Sequence, residues 1–199
     1  MITLSQEEIF AKIDTFNWNF KVGYNIKYNV QELFFLYRVK NNFCSVERDK
    51  GFANKHLSMT LFAVTEGILH DFVVRLSEAT NYFPRVIDSK KQEEIKKYIA
   101  RQKVLYDWKD LRETRLRVKN YTFSEILKLL KKFELLGPLD GPIYENLVGA
   151  TQFRNRVHIY NWHNNFERNE NDVFTDERLG KLEKLFVDVL TIMETKYFR

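Results

Sequence analysis

Arg154 and His158 stand one helical turn apart in the stretch RNRVHIYN, which spans 154–161. A guanidinium that stays charged, beside an imidazole that titrates near neutrality, suits phosphate chemistry. The arginine can hold and neutralise a phosphodiester, and the histidine can move a proton. RNA supplies its own nucleophile in the 2′-hydroxyl, so positioning and stabilisation of transition-state charge can suffice with no metal and no organic cofactor. With Leu147 set at zero around a helix axis, Thr151 falls at about +40°, Arg154 at about −20° and His158 at about +20°. Both candidates therefore continue the stripe that Leu147 begins, and Arg156 lies on the opposite side. Because a buried charge is costly unless paired, the same two residues also admit a purely structural reading. In that reading each satisfies a carboxylate in a core or a dimer interface.

The pair needs helices to hold it. The 199 residues are enough for one well-packed core, and 44% hydrophobic with 30% charged residues argues against extensive disorder. Only 7 Gly and 3 Pro leave too few turn residues for a sandwich or barrel, which favours an all-α fold. Ser5 is a capping candidate for a first helix, and a second is expected over about 25–42. ERDKGFANK, at 47–55, reads as a connection. The clearest helical period follows over about 55–79, where Leu57, Leu61, Val64, Ile68, Phe72 and Leu76 recur as a core helix. A charged, helical excursion is expected over about 89–119. Thr122 or Ser124 then caps a helix with Phe123, Ile126, Leu127, Leu130 and Phe133 on one face. GPLDGP, at 137–142, ends it and opens a helix that runs through at least His158. The polar stretch NWHNNFERNEND reads as a surface loop before a final helix from Thr175 to about Tyr197.

Charge is uneven along the chain. Residues 85–132 hold 15 Lys/Arg against 7 Asp/Glu, a local +8 within a total of +5. Such a segment can attract a polyanion by counterion release, although a solvated helix face explains it equally well. Lys90, Lys91, Lys96, Lys97, Arg112, Arg115 and Lys119 are the candidate phosphate contacts within it. The lone Cys44 fits a reducing compartment, no run of about 18 apolar residues exists to span a membrane, and the start lacks the pattern of a signal peptide. A cytoplasmic protein is expected.

RNRVH at the end of the penultimate helix, together with TLFAVTEGILHDFVVRL as an earlier core helix, resembles the HEPN superfamily (higher eukaryotes and prokaryotes nucleotide-binding domain). Its signature is an Arg, commonly followed by Asn, Asp or His, then a His after four to six intervening residues. Here Asn155 follows Arg154, and three residues precede His158. The resemblance implies a helical bundle within a single domain: a HEPN-like core over 55–199, a helical extension over 1–54 and a charged helical insertion. It further implies a metal-independent endoribonuclease of toxin or antiphage type. Arg154 would stabilise the scissile phosphate, His158 would transfer a proton and Asn155 would orient them. Two copies would meet as a homodimer around one composite cleft, with RNA as substrate. The alternative is a noncatalytic HEPN-like module that binds RNA, a nucleotide or a protein partner, and a helical interaction protein outside the family is a third reading.

Tyr160 completes HIY, which resembles the His-x-Tyr ending of HEPN toxins paired with a nucleotidyltransferase-type antitoxin. The resemblance implies a tyrosine that the antitoxin silences by nucleotide transfer, and interfacial packing explains a lone tyrosine as well. His163 stands too far from His158 along a helix end to make a persuasive metal pair. Glu66, His70 and Asp71, on the core helix, are candidates to approach the Arg154 helix, although Glu66 and His70 also read as a local surface pair.

Overall fold

The apolar period over 57–76 becomes the middle of a long helix buried around most of its circumference. In the computed structural model, which describes residues 2–16, 20–78, 87–102, 109–110, 113–114, 122–156 and 173–197, this helix is α3 (Glu47–Glu78). Leu57, Leu61, Val64, Ile68, Leu69, Phe72 and Val73 are buried, and so are the polar Asn54, Ser58, Thr60, Thr65 and Asp71 between them. A helix apolar on one side alone would leave those positions in water; here other helices cover them. Thr60 and Thr65 return their hydroxyls to the backbone, donating to His56 O at 3.0 Å and Leu61 O at 2.7 Å.

Around it stand α1 (Gln6–Phe16), α2 (Phe20–Phe43), α4 (Ser89–Gln102), α5 (Phe123–Lys132), α6 (Pro142–Arg156) and α7 (Asp176–Ile192), the last continuing into a π-helical turn at Met193–Tyr197. The fold is all-α. Its one extended element among the described residues is a two-residue antiparallel pairing of β1 (Lys109–Asp110) with β2 (Glu113–Thr114). One contiguous apolar core runs from Ile2 to Tyr197, and Ile9 and Ile13 of α1 and Val30 and Leu33 of α2 lie within it.

Three sequence expectations need correction. ERDKGFANK is no connection but the opening turns of α3. Glu47 and Asp49 suit a helix N-terminus, Lys50 pairs with Glu47 at 2.8 Å, and Ala53 and Asn54 are already buried. The charged excursion forms a helix over Ser89–Gln102, and Lys109–Asp110 and Glu113–Thr114, expected to be helical too, pair instead as β1 and β2. On α5 the buried residues are Phe123, Ile126, Leu129 and Leu130, with Leu127 only half-buried. The start of that helix meets expectation: Thr122 and Glu125 exchange side-chain and backbone hydrogen bonds in a capping box. Ser5 and Glu8 do the same for α1.

Helix directions follow from who meets whom. Ile26 of α2 lies against Gly67 of α3, while Tyr37 and Lys40, further along α2, reach Glu183 and Asp176 of α7. Asn54 meets Asp176 at one end, and at the other the Phe72 and Tyr197 rings stack at 4.7 Å. So α3 and α7 are parallel and α2 opposes both. Tyr144 at the start of α6 and Tyr197 just past α7 bond neighbouring residues of one turn, Leu136 and Leu135, so α6 begins where α7 finishes and opposes it as well. Consequently α3 and α7 begin at the end of the bundle where α2 and α6 finish.

At the opposite end two tyrosines hold the turn after α5. Glu134 takes a left-handed conformation (φ 51°) and Gly137 sits at φ 134°, a value glycine adopts without strain. The Tyr144 hydroxyl accepts from Leu136 N–H at 3.0 Å and lies 3.2 Å from Leu130 O and 3.1 Å from Gly137 O, either of which can take its proton. The Tyr197 hydroxyl donates to Leu135 O. Replacing Tyr144 with Phe strands the buried Leu136 N–H, and we expect Tyr144→Phe to cost about 1–3 kcal/mol in chemical denaturation. A variant as stable as wild type would show that this turn needs no side-chain clamp.

Candidate functional site

Arg154 and Asn155 lie in the last turn of α6, whose inward row is formed by Ile143, Leu147 and Ala150, all buried. Thr151, half-buried on the same helix, donates its hydroxyl to Leu147 O at 2.9 Å. By helical period Arg154 continues the row of Leu147 and Ala150, one turn beyond the latter. The side chains of Arg154 and Asn155, and the whole of His158, Tyr160 and His163, lie outside the described residues.

What surrounds that end of the bundle is polar. Lys40, in the last turn of α2, pairs with Asp176 in the first turn of α7 at 2.5 Å. Buried Asn54 of α3 donates to the same carboxylate and to Phe174 O, each at 2.9 Å, and its Oδ1 has no hydrogen-bond partner among the described residues. Deeper between α2 and α7, Tyr37 donates its phenol to the buried carboxylate of Glu183. Burial, then the hydrogen bond and charge of Glu183, push the Tyr37 phenol well above its ordinary range, so it stays a neutral donor. Tyr37, Lys40, Asp176 and Glu183 line an open cleft of about 410 Å³, to which Asn41, Cys44 and Lys50 also contribute.

The Lys40 ammonium first, and the Asn54 amide second, hold the Asp176 carboxyl below its usual 3.8. No sequence pattern announced this cluster. Its members come from three helices far apart in the chain, and only Asp176 and Lys40, as charges at complementary helix ends, left a trace in the sequence.

The other sequence candidates that are described lie away from the end of α6 that carries Arg154. Lys91 is close enough to Lys196 to depress its ammonium, second to the effect of burial, and Lys196 donates to Glu134 O at 3.3 Å. That is the end where α6 begins, about 18 Å along the helix from Arg154. Glu66 lies about 18 Å along α3 from Asn54, and His70 and Asp71 lie further still, so all three belong to the far half of the bundle. Arg112, Arg115 and Lys119 lie outside the described residues. Among the described residues, no group of three or more His, Cys, Asp or Glu side chains is placed to share a metal ion, and no helix is long and apolar enough to cross a membrane. Set against protein-family models, characterised proteins and solved structures, the chain matches none of them.

Two outcomes test the polar cluster. Tyr37→Phe takes a donor from a buried carboxylate, and we expect it to lower stability by about 1–3 kcal/mol in urea unfolding. Because the folded-state value of Asp176 is depressed, its contribution is present above the ordinary carboxylate value and is lost as pH falls through the folded one. Thermal unfolding scanned from pH 6 down to about pH 2 should therefore show a shallower acid loss for Asp176→Asn than for wild type. Identical acid slopes would mean that the Lys40–Asp176 pair adds nothing.

Proposed function

We propose that the chain is a HEPN-type, metal-independent endoribonuclease of toxin or antiphage type, working in the cytoplasm as a homodimer. The observation that carries this reading is the position of Arg154 and Asn155. They close the penultimate helix of an all-α bundle, one period beyond its buried row, with His158 four positions after Arg154 in the sequence. In this reading the bundle from about residue 55 is a HEPN-like core, and α1 and α2 are its N-terminal addition within one domain.

The chemistry assigns each residue a role. Arg154 neutralises the non-bridging oxygens of the scissile phosphate as negative charge builds there. His158 takes the proton from the 2′-hydroxyl as that oxygen bonds to phosphorus. The bond from phosphorus to the 5′-oxygen breaks, water or an imidazolium protonates the leaving oxygen, and the products are a 2′,3′-cyclic phosphate and a 5′-hydroxyl. Asn155 orients the phosphate or the pair. Tyr160 stands close enough in sequence for its modification by a nucleotidyltransferase-type antitoxin to block the same cleft.

A second reading has its own support. Only three residues separate Arg154 from His158, fewer than the four to six of the family signature, and this favours a noncatalytic module that binds RNA, a nucleotide or a protein. Cleavage of single-stranded RNA in excess chelator separates the two. We expect wild type to release cyclic-phosphate ends, and Arg154→Ala and His158→Ala to lose about 100-fold or more in rate while keeping their fold by circular dichroism. Equal activity in all three proteins would remove the site, and RNA binding without cleavage would leave the module.

A further inference from the structure

Between α6 and α7 runs an open groove of about 340 Å³ whose two walls differ in kind. The α6 wall is low, because Gly149 and Ala150 face it and a Cβ at Gly149 would meet nothing within 4 Å. The α7 wall carries Arg178, Lys181 and Lys184, one every three residues. Glu145 is the one acidic side chain among the groove's lining residues. Leu182 and Leu185, both buried, form the floor.

We infer that this groove is a track for the phosphodiester backbone of a single RNA strand, leading it to the last turn of α6. The choice of RNA as the polyanion rests on the ribonuclease reading; the place rests on the groove itself. Three cations facing one anion give the charge complementarity. At a rise of 1.5 Å per residue the row from Arg178 to Lys184 covers about 9 Å. A stacked strand advances about 3.4 Å per nucleotide, so the row spans about two or three phosphates. Lys181 already pairs with Glu177 at 2.7 Å, but both side chains are more than 70% exposed, and a phosphate can displace a pair so weakly held. The groove also has a direction. Along α6 it runs from Glu145 past Gly149 toward Arg154 and Arg156, so a strand seated in it arrives where the candidate chemistry is.

The test uses the full chain and a 2′-O-methyl RNA oligonucleotide, which binds but has no free 2′-hydroxyl to attack. Affinity is read by fluorescence anisotropy over a series of salt concentrations. Lys181→Glu/Lys184→Glu should weaken binding about tenfold or more and reduce the slope of log K against log salt by about 1.4, at about 0.7 per phosphate contact. Lys128→Glu/Lys131→Glu makes the same charge change at the same spacing on α5, where both lysines are exposed, and should move the slope far less. Equal losses in the two double variants, an unchanged slope in the first, or a wild type that binds no oligonucleotide would each overturn the track. So would a first variant that binds RNA normally but sediments as a smaller species, which would assign the groove to a second copy of the chain. Because the oligonucleotide is not cleaved, a protein without nuclease activity that still needs Lys181 and Lys184 for binding would keep the track and lose the ribonuclease reading.

Discussion

Burial of α3 on all but the one face of Phe52, His56, Met59 and Ala63 is the constraint that orders the rest. A single long helix that hides Leu57, Leu61, Ile68, Leu69 and Phe72, and also Asn54, Thr65 and Asp71, cannot rest on one neighbour. α2 lies along it, α7 runs beside it in the same direction, and α4, α5 and α6 pack against further parts of it. Each of those helices turns its own apolar row inward, which is why Leu147, Phe186, Ile126 and Val30 are all fully covered. Parallel α3 and α7 then require the chain to travel back along the bundle between them, and α6, which opposes both, makes that return. The site at the end of α6 is thus a product of packing around α3.

The periodic parts of this arrangement could be read from the sequence, because burying a stripe leaves a period of 3.6 residues. That signal located the middle of α3, the face of α6 around Leu147 and the run of Leu182, Leu185, Phe186 and Val189 in α7. The start of α3 was hidden for the opposite reason. Its first turns are held by charge placement, by the Lys50–Glu47 pair and by a buried asparagine, none of which has a hydrophobic period. At Lys109–Asp110 and Glu113–Thr114 the charge pattern misled in the other direction: Glu and Lys have high helix propensity, but propensity is a weak prior, and these residues pair as strands.

The candidate site divides along the same line. A local motif, RNRVH, can be read because its members are sequence neighbours. The cluster of Tyr37, Asn54 and Glu183 cannot, since its chemistry exists only after α2, α3 and α7 have met. Tyr37 and Glu183 are 146 positions apart. Each taken alone reads as an ordinary helical residue; together they are a carboxylate out of water with a phenol pinned to it.

The two ends of the bundle consequently differ in how they are held, and this bears on what an arginine at the end of α6 means. One end is closed by tyrosine hydroxyls on backbone carbonyls and amides, through Tyr144 and Tyr197. The other is held by charges that match helix ends: Asp176 at the start of α7, Lys40 at the finish of α2, and the pair bonded to each other. Arg154 and Arg156 finish α6 at that same end, where positive charge is favoured by about 0.3–1 kcal/mol each through the helix dipole alone. An arginine there therefore has a structural reason to exist before any substrate is considered. The dipole, however, favours any cation within the last turn and is indifferent to which face carries it. It accounts for Arg156 as readily as for Arg154, and gives no reason for an arginine on the row of Leu147 and Ala150. That residual choice of face is the feature on which the proposed phosphate chemistry rests.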